Sequence, residues 1–265
     1  MHQRLLRLLA ASLLVVTSAA QAEVTLIHAG ELLAVPGKPP AREMTIIVEG
    51  NRITGVQRGF AEVEGATVID LSDSFVLPGL MDMHVHLQGE LGPSNDSDAL
   101  KMSSQLMQMR SLHYAMNTLM AGFTTVRDVG SSEQEMYAMR DAINRGWIDG
   151  PRIIAAGGVG ITGGHADISG VSPELMELWT SANVCDGPYD CRRAARNVIK
   201  YGGDLIKITS TGGVMTQRAT GTGQQMEMDE LQEIVRAAAR MGRKVASHAH
   251  EEDGIIAALE AGVAS

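Results

Sequence analysis

An apolar stretch, residues 76–87, carries two histidines one residue apart. Side chains in a β-strand alternate between two faces, so His84 and His86 point to one side while Val85 points to the other. Two neighbouring imidazoles have the spacing of ligands that share a metal ion. A pair of half-exposed histidines near a strand end is the ordinary alternative. The stretch therefore predicts a strand that ends at a metal site.

Residues 1–22 have the composition of a secretory signal peptide. Arg4 and Arg7 precede the apolar run of residues 8–16, and the small residues at 18–22 suit a signal peptidase. A transmembrane anchor is the alternative, although the run is short for a bilayer span. We therefore expect an exported protein, periplasmic or secreted, that has no stable membrane anchor.

The charge balance bears on the kind of partner. The chain has 31 Asp and Glu against 22 Lys and Arg, which gives a formal net charge of −9, and it contains no basic cluster. A nucleic acid would repel such a surface, so we expect no nucleic-acid partner.

The two cysteines, Cys185 and Cys191, flank a turn that contains Gly187 and Pro188. In an oxidising compartment two thiols at this spacing can form a small disulfide, whereas in the cytosol they would stay reduced. Neither lies near the histidine pair in sequence. A structural role is therefore favoured over metal binding.

Two patterns of apolar residues divide the chain after the signal peptide. Residues 23–75 contain five short apolar runs separated by turns, one of them a hairpin at Gly50-Asn51, and predict a small β domain of sandwich type. Residues 76–265 alternate strands with long helical segments, which predicts βα units and a parallel sheet. The overall class is therefore α/β.

Five strands are predicted in this second part. Their bounds are residues 80–86, 124–129, 151–156, 204–209 and 244–248, and helices are predicted at 99–121, 132–145, 189–201, 228–241 and 252–261. A (β/α)₈ barrel of the TIM type has eight such strands, with its catalytic groups at their carboxyl ends. We expect the first five strands of such a barrel.

Further candidate ligands lie at the ends of the later strands. Lys207 interrupts an apolar run, where a buried ammonium needs a partner or a lowered pKa. A neutral lysine can react with carbon dioxide to give a carbamate, an anionic ligand that can bridge two metals. A surface lysine is the alternative. His248 ends the fifth strand, and His250 lies beyond it, where a solvated loop histidine is equally plausible.

His165 follows the third strand in a glycine-rich loop, residues 157–164, where the backbone can approach a ligand. A plain loop histidine is the alternative. The loop lacks the lysine and the spacing of a nucleotide-binding loop. Arg127 and Asp128 are adjacent and face opposite ways on the second strand, and we expect each to form a structural salt bridge.

Together these motifs resemble the amidohydrolase superfamily. The Pro78-Gly79 lead-in, Asp82 and the His-x-His pair are similar to the first barrel strand of that superfamily. Four further stretches resemble its imidazolonepropionase-related and prolidase-like branch. They are residues 122–128, 163–165, 204–215 and 245–262.

The resemblance implies one or two divalent cations, for which imidazole and carboxylate ligands favour zinc. It assigns the metal to His84, His86, Lys207 and His248, with a carbamate on Lys207. Lys207 and His165 would be catalytic, and His165 and His250 would contact the substrate. The superfamily also uses a histidine from strand six and an aspartate from strand eight, which have no counterpart in these 265 residues.

The implied reaction is hydrolysis of a carbon–nitrogen bond in a small peptide or amide by a metal-activated water. An exported dipeptidase of the Xaa-Pro or related type is the leading hypothesis. The alternatives are a cyclic amidohydrolase of the imidazolonepropionase type, an inactive truncated fragment and a solute-binding protein. Because a sheet that stops at strand five leaves an unpaired edge, we also expect poor stability. Substrate preference and oligomeric state, including a homo-oligomer, stay open.

Overall fold

The computed structural model describes residues 23–90, 92, 95–214, 216 and 220–265. The chain divides after Pro78 into two compact units. The predicted signal peptide, residues 1–22, lies outside the described residues. Within the described ranges no helix has both the length and the apolar character that a bilayer span requires.

The first unit contains a four-stranded sheet whose order is β3-β2-β1-β4. The strands are β1 (Val24–Leu32), β2 (Ala41–Glu49), β3 (Arg52–Arg58) and β4 (Thr67–Val76). The predicted hairpin joins β2 to β3, and Gly50 in its turn has a φ of +59°. Strand β1 has a register shift against β4 between Ala29 and Glu31, on either side of Gly30. A Cβ there would lie 2.3 Å from the carbonyl oxygen of Ser72, so only glycine fits.

The second unit is built on a parallel sheet, in agreement with the predicted α/β class and partial barrel. The strands are β5 (Leu80–Val85), β6 (Phe123–Asp128), β7 (Arg152–Ile161), β8 (Val184–Cys185), β9 (Leu205–Thr209) and β10 (Val245–His248). Their order is β10-β9-β7-β6-β5, and the two-residue strand β8 pairs with the end of β7. All five predicted strands are present, and β8 is additional.

Seven helices connect these strands in the described part of the second unit. They are α1 (Asn95–Lys101), α2 (Ser104–Met120), α3 (Glu133–Asn144), α4 (Pro173–Trp179), α5 (Gly187–Lys200), α6 (Met228–Arg240) and α7 (Glu252–Glu260). The single helix predicted at 99–121 is two helices. The hydroxyl of Ser103 accepts a hydrogen bond from the amide of Leu106 at 3.2 Å, which caps a new helix start at that point.

Strand β7 is longer than predicted. It continues to Ile161, so Gly157 and Gly158 lie in the strand and not in the loop before His165. A Cβ at Gly157 would lie 2.4 Å from Cγ1 of Val198 on α5. Glycine therefore lets the helix pack closely against the strand, and it does not mark a loop there.

The largest buried cluster lies between β9, α5 and α6. Ile206, Ile208, Val198, Leu231 and Ile234 are fully buried in it. Burial of each such side chain contributes on the order of 1.5–3 kcal/mol. Every residue of β9 is buried, so the strand that carries Lys207 lies at the centre of this core.

Candidate metal centre

The predicted ligands lie at the carboxyl ends of parallel strands. His84 is in β5, Lys207 in β9 and His248 is the last residue of β10, while His86 and His165 follow the ends of β5 and β7. Parallel strands place their carboxyl ends at one edge of the sheet, where barrel enzymes build their sites. The topology therefore directs these five residues to the same edge.

His84 and His86 form the first histidine group. Their ring centroids are 5.3 Å apart. Nδ1 of His86 lies 3.0 Å from the carbonyl oxygen of Gly130, which can only accept a hydrogen bond, so Nδ1 donates and Nε2 is left for a metal. A Cβ at Gly130 would lie 2.3 Å from this ring, so glycine is what leaves room for the imidazole.

The second histidine group contains His165, His248 and His250. The ring of His248 lies 4.6 Å from that of His165 and 4.5 Å from that of His250, centroid to centroid. Nδ1 of His165 is 2.6 Å from the hydroxyl of Thr216. A Cβ at Gly213 would lie 2.2 Å from the His165 ring, so this ring also occupies space that a glycine leaves open.

The imidazole of His248 has the properties of a metal ligand. Burial lowers its pKa to about 4, assisted by the charges of His165, His250 and Lys207 and opposed by a hydrogen bond with the backbone of Gly212. Its buried Nε2 has no hydrogen-bond partner among the described residues. A neutral imidazole with a free nitrogen is the form that binds metal.

The charge of Lys207 acts on histidines of both groups. Its side chain is buried, and burial, followed by the charge of Arg127, lowers its pKa to about 8. Burial is the main cause of the lowered pKa of His84, His165 and His248. The charge of Lys207 lowers the pKa of each of them further. The sequence predicted that a buried lysine here needs either a partner or a lowered pKa. Its pKa is lowered.

The donor atoms fit a divalent cation, although the part of the chain that the structure describes contains no preassembled cluster. Across the described ranges, no three His, Cys, Asp or Glu side chains are grouped so that they could hold a metal ion. The histidines form two separate groups instead, and the charge of Lys207 lowers the pKa of histidines in both. Neutral imidazoles, one with an orphan nitrogen, and a lysine of lowered pKa are the donor chemistry that such a cation requires.

Asp128 is a residue of this site that the sequence did not reveal. Its carboxylate is 1% exposed and accepts hydrogen bonds from the amides of Leu87 (2.7 Å) and Gly130 (3.2 Å) and from the hydroxyl of Ser131 (2.7 Å). Leu87 follows His86, and Gly130 provides the carbonyl that fixes its ring. Asp128 therefore orients His86 from behind.

Neither Arg127 nor Asp128 forms the expected salt bridge with any residue that the structure describes. Arg127 donates from Nε to the carbonyl oxygen of Met83 at 2.6 Å and from Nη1 to the hydroxyl of Ser265 at 2.9 Å. Both residues instead bind backbone and hydroxyl groups near the strand ends. The available signal was the position of an acidic residue at the end of a strand, directly before a Val-Gly-Ser loop.

The prediction that Cys185 and Cys191 serve a structural role in an oxidised form agrees with the structure, in which they form a disulfide. Their Cα atoms are 4.9 Å apart, and both side chains are buried. The disulfide joins β8 to the first turns of α5.

The profile of the amidohydrolase family matches residues 75–265. The chain belongs to the amidohydrolase family. Over 271 aligned residues this amidohydrolase is 30% identical to the ochratoxinase of Aspergillus niger, covering 95% of the chain and 55% of that protein. The predicted membership is confirmed, and members of this superfamily generally use divalent metals.

Solved structures agree with the prolidase-like branch. A Xaa-Pro dipeptidase with bound methionine superposes with a TM-score of 0.83 at 38% identity, over 91% of this chain and 60% of that one. A prolidase in complex with N-methylphosphonate-L-proline superposes with a TM-score of 0.77 at 29% identity, over 91% and 59%. This amidohydrolase thus spans somewhat more than half the length of the relatives it matches.

Proposed function

We propose that this amidohydrolase hydrolyses the amide bond of small substrates, as an exported dipeptidase of the Xaa-Pro type that uses a metal-activated water. The observation that carries this proposal is the buried Lys207, whose charge acts on histidines from three other strand ends. The 38% identity to a Xaa-Pro dipeptidase supports the choice of substrate. Export rests on the composition of residues 1–22.

His84, His86, Lys207 and His248 would hold one or two divalent cations, zinc by their ligand chemistry. A cation bound there supplies Lewis acidity and lowers the pKa of water. The uncharged amine of Lys207 can add to carbon dioxide, which forms an N–C bond and releases one proton. The product is a carbamate, whose negative charge makes the side chain an anionic ligand that a bound cation would neutralise.

His165 and His250 are the residues that we assign to the substrate. Both rings lie beside His248 without belonging to the first histidine group. His165 is held by Thr216 through Nδ1, so Nε2 is directed away from that contact. An imidazole N–H at that position can bind the carbonyl oxygen of the substrate and stabilise the charge that develops on it.

Ochratoxin is a second candidate substrate. The similarity to ochratoxinase extends over 95% of the chain, which favours an amide of that kind as much as a dipeptide. The cyclic amide and the inactive fragment stay predictions of the sequence.

Elemental analysis of the full-length protein tests the proposal, together with hydrolysis assays on a Xaa-Pro dipeptide library and on ochratoxin. We expect between one and two divalent cations per chain and hydrolysis of Xaa-Pro dipeptides, with both lost in His84→Ala. His113→Ala is the control, because His113 is exposed on α2 and its ring contacts Asn117 and Tyr114 of the same helix. A protein that holds no metal would contradict the proposal, and one that cleaves ochratoxin alone would replace its substrate.

A further inference from the structure

The loop that carries His165 is attached to β8 where it leaves β7. Ile161, the last residue of β7, is paired with Cys185, and the amide of Thr162 donates to the carbonyl oxygen of Cys185 at 3.3 Å. His165 follows three residues later. The position of β8 therefore sets the point from which this loop starts.

Strand β8 is also attached to α5 by Arg193, whose Nη1 and Nη2 donate to the carbonyl oxygens of Ala182 at 2.6 Å and Val184 at 3.1 Å. It has two residues and pairs only with β7 among the described strands. The disulfide between Cys185 and Cys191 joins it to α5, a helix of 14 residues that packs into the largest buried cluster. The disulfide thus adds a covalent link between β8 and this core to the hydrogen bonds of Arg193.

The same loop has a second attachment, at His165 itself. The amide of His165 donates to Oε1 of Gln225 at 2.9 Å, and the amide of Gln225 donates to the carbonyl oxygen of Ser210 at 2.8 Å. Ser210 directly follows β9. Gln225 therefore ties the backbone of His165 to the segment that begins α6.

Glu230 connects these two attachments. It lies in the first turn of α6 and is 5% exposed. Its Oε1 accepts from the amide of Gly187 at 2.8 Å and lies 3.9 Å from Sγ of Cys191, while its Oε2 accepts from the amide of Glu227 at 2.9 Å. One buried carboxylate thus holds the start of α5, beside the disulfide, against the start of α6, beside Gln225.

We propose that the Cys185–Cys191 disulfide and Glu230 form a clamp that positions His165 for the substrate. The proposal rests on the substrate contact that the proposed function gives to His165. These three residues are positioning residues, since none of them lies among the histidines. Without the clamp, we expect the start of the loop after β7 to move more freely. The metal ligands on β5, β9 and β10 should keep their positions.

A double-mutant cycle in the full-length, metal-loaded protein tests this proposal. We expect Cys185→Ala with Cys191→Ala to lower kcat/KM by about 10- to 100-fold, the scale of a misplaced substrate contact, with the metal content unchanged. In a His165→Ala background the same two changes should lower kcat/KM no further. Equal losses in the two backgrounds would overturn the proposal.

Hydrogen exchange tests the clamp without any hydrolysis assay, so it separates failure of the clamp from failure of the proposed function. We expect faster exchange in residues 160–166, and unchanged exchange in residues 245–248, in both the cysteine variant and Glu230→Gln. Glu233→Gln is the matched control, because Glu233 is also buried on α6 but pairs with Arg192 and Arg236. Unchanged exchange in residues 160–166 would overturn the proposal even if the protein hydrolyses dipeptides.

Discussion

Strands β9 and β5 carry proposed ligands in the same parallel sheet, but their surroundings differ. All five residues of β9 are buried, whereas four of the six residues of β5 are exposed. β9 has a strand on each side and the core of α5 and α6 against it, while β5 pairs only with β6 in the described sheet. The pKa of Lys207 is therefore set by packing, whereas His84 and His86 are positioned by polar contacts. One sheet thus builds a site in two different ways.

A pair of truncations gives the largest expected difference between the two strands. Ile208→Ala in β9 should lower the free energy of unfolding by about 2–5 kcal/mol, because it opens a cavity in a closed core. Met81→Ala in β5 removes a side chain that is 68% exposed and should change it by less than about 0.5 kcal/mol. Denaturant unfolding measures both, and equal losses would show that β5 is packed as tightly as β9.

Lys207→Met sharpens the comparison at the ligands themselves. In metal-free protein we expect it to raise the free energy of unfolding by about 1–4 kcal/mol, because an apolar chain of similar length replaces an amine whose pKa burial lowers. His84→Ala on the exposed strand should change it by less than about 0.5 kcal/mol. Chemical denaturation after chelation tests this difference. A destabilised Lys207→Met variant would mean that the amine has a partner that stabilises it.

Asp128→Asn tests whether polar contacts position the β5 ligands. In asparagine an NH₂ group replaces one of the two oxygens that accept from Leu87, Gly130 and Ser131, so at least one of these hydrogen bonds is lost and we expect a loss of about 1–3 kcal/mol in stability. Metal affinity should fall by about 10- to 100-fold.

The control for this variant is Asp141→Asn, whose side chain is half exposed on α3. Metal titration monitored by calorimetry compares the two variants. An affinity as high in Asp128→Asn as in Asp141→Asn would show that His86 holds its orientation without Asp128.

The sequence predicted those parts of the site that depend on local pattern. Lys207 stood out as one charge in an apolar run, and His84 and His86 as an alternation within one strand. Asp128 and Gln225 did not stand out, because their partners Leu87 and His165 lie 41 and 60 residues away. Contacts of that kind follow from strand order, which local pattern does not determine. β8 has two residues and α4 has seven, so neither gives a period long enough to recognise.

Two glycines described beside the imidazoles have a consequence for protein engineering. Gly130 and Gly213 do not have a positive φ, so their importance lies in the space that they leave for the rings of His86 and His165. Even a methyl group at either position would collide with an imidazole. Libraries that aim to change substrate range should therefore keep both positions fixed and place their diversity elsewhere on the loops.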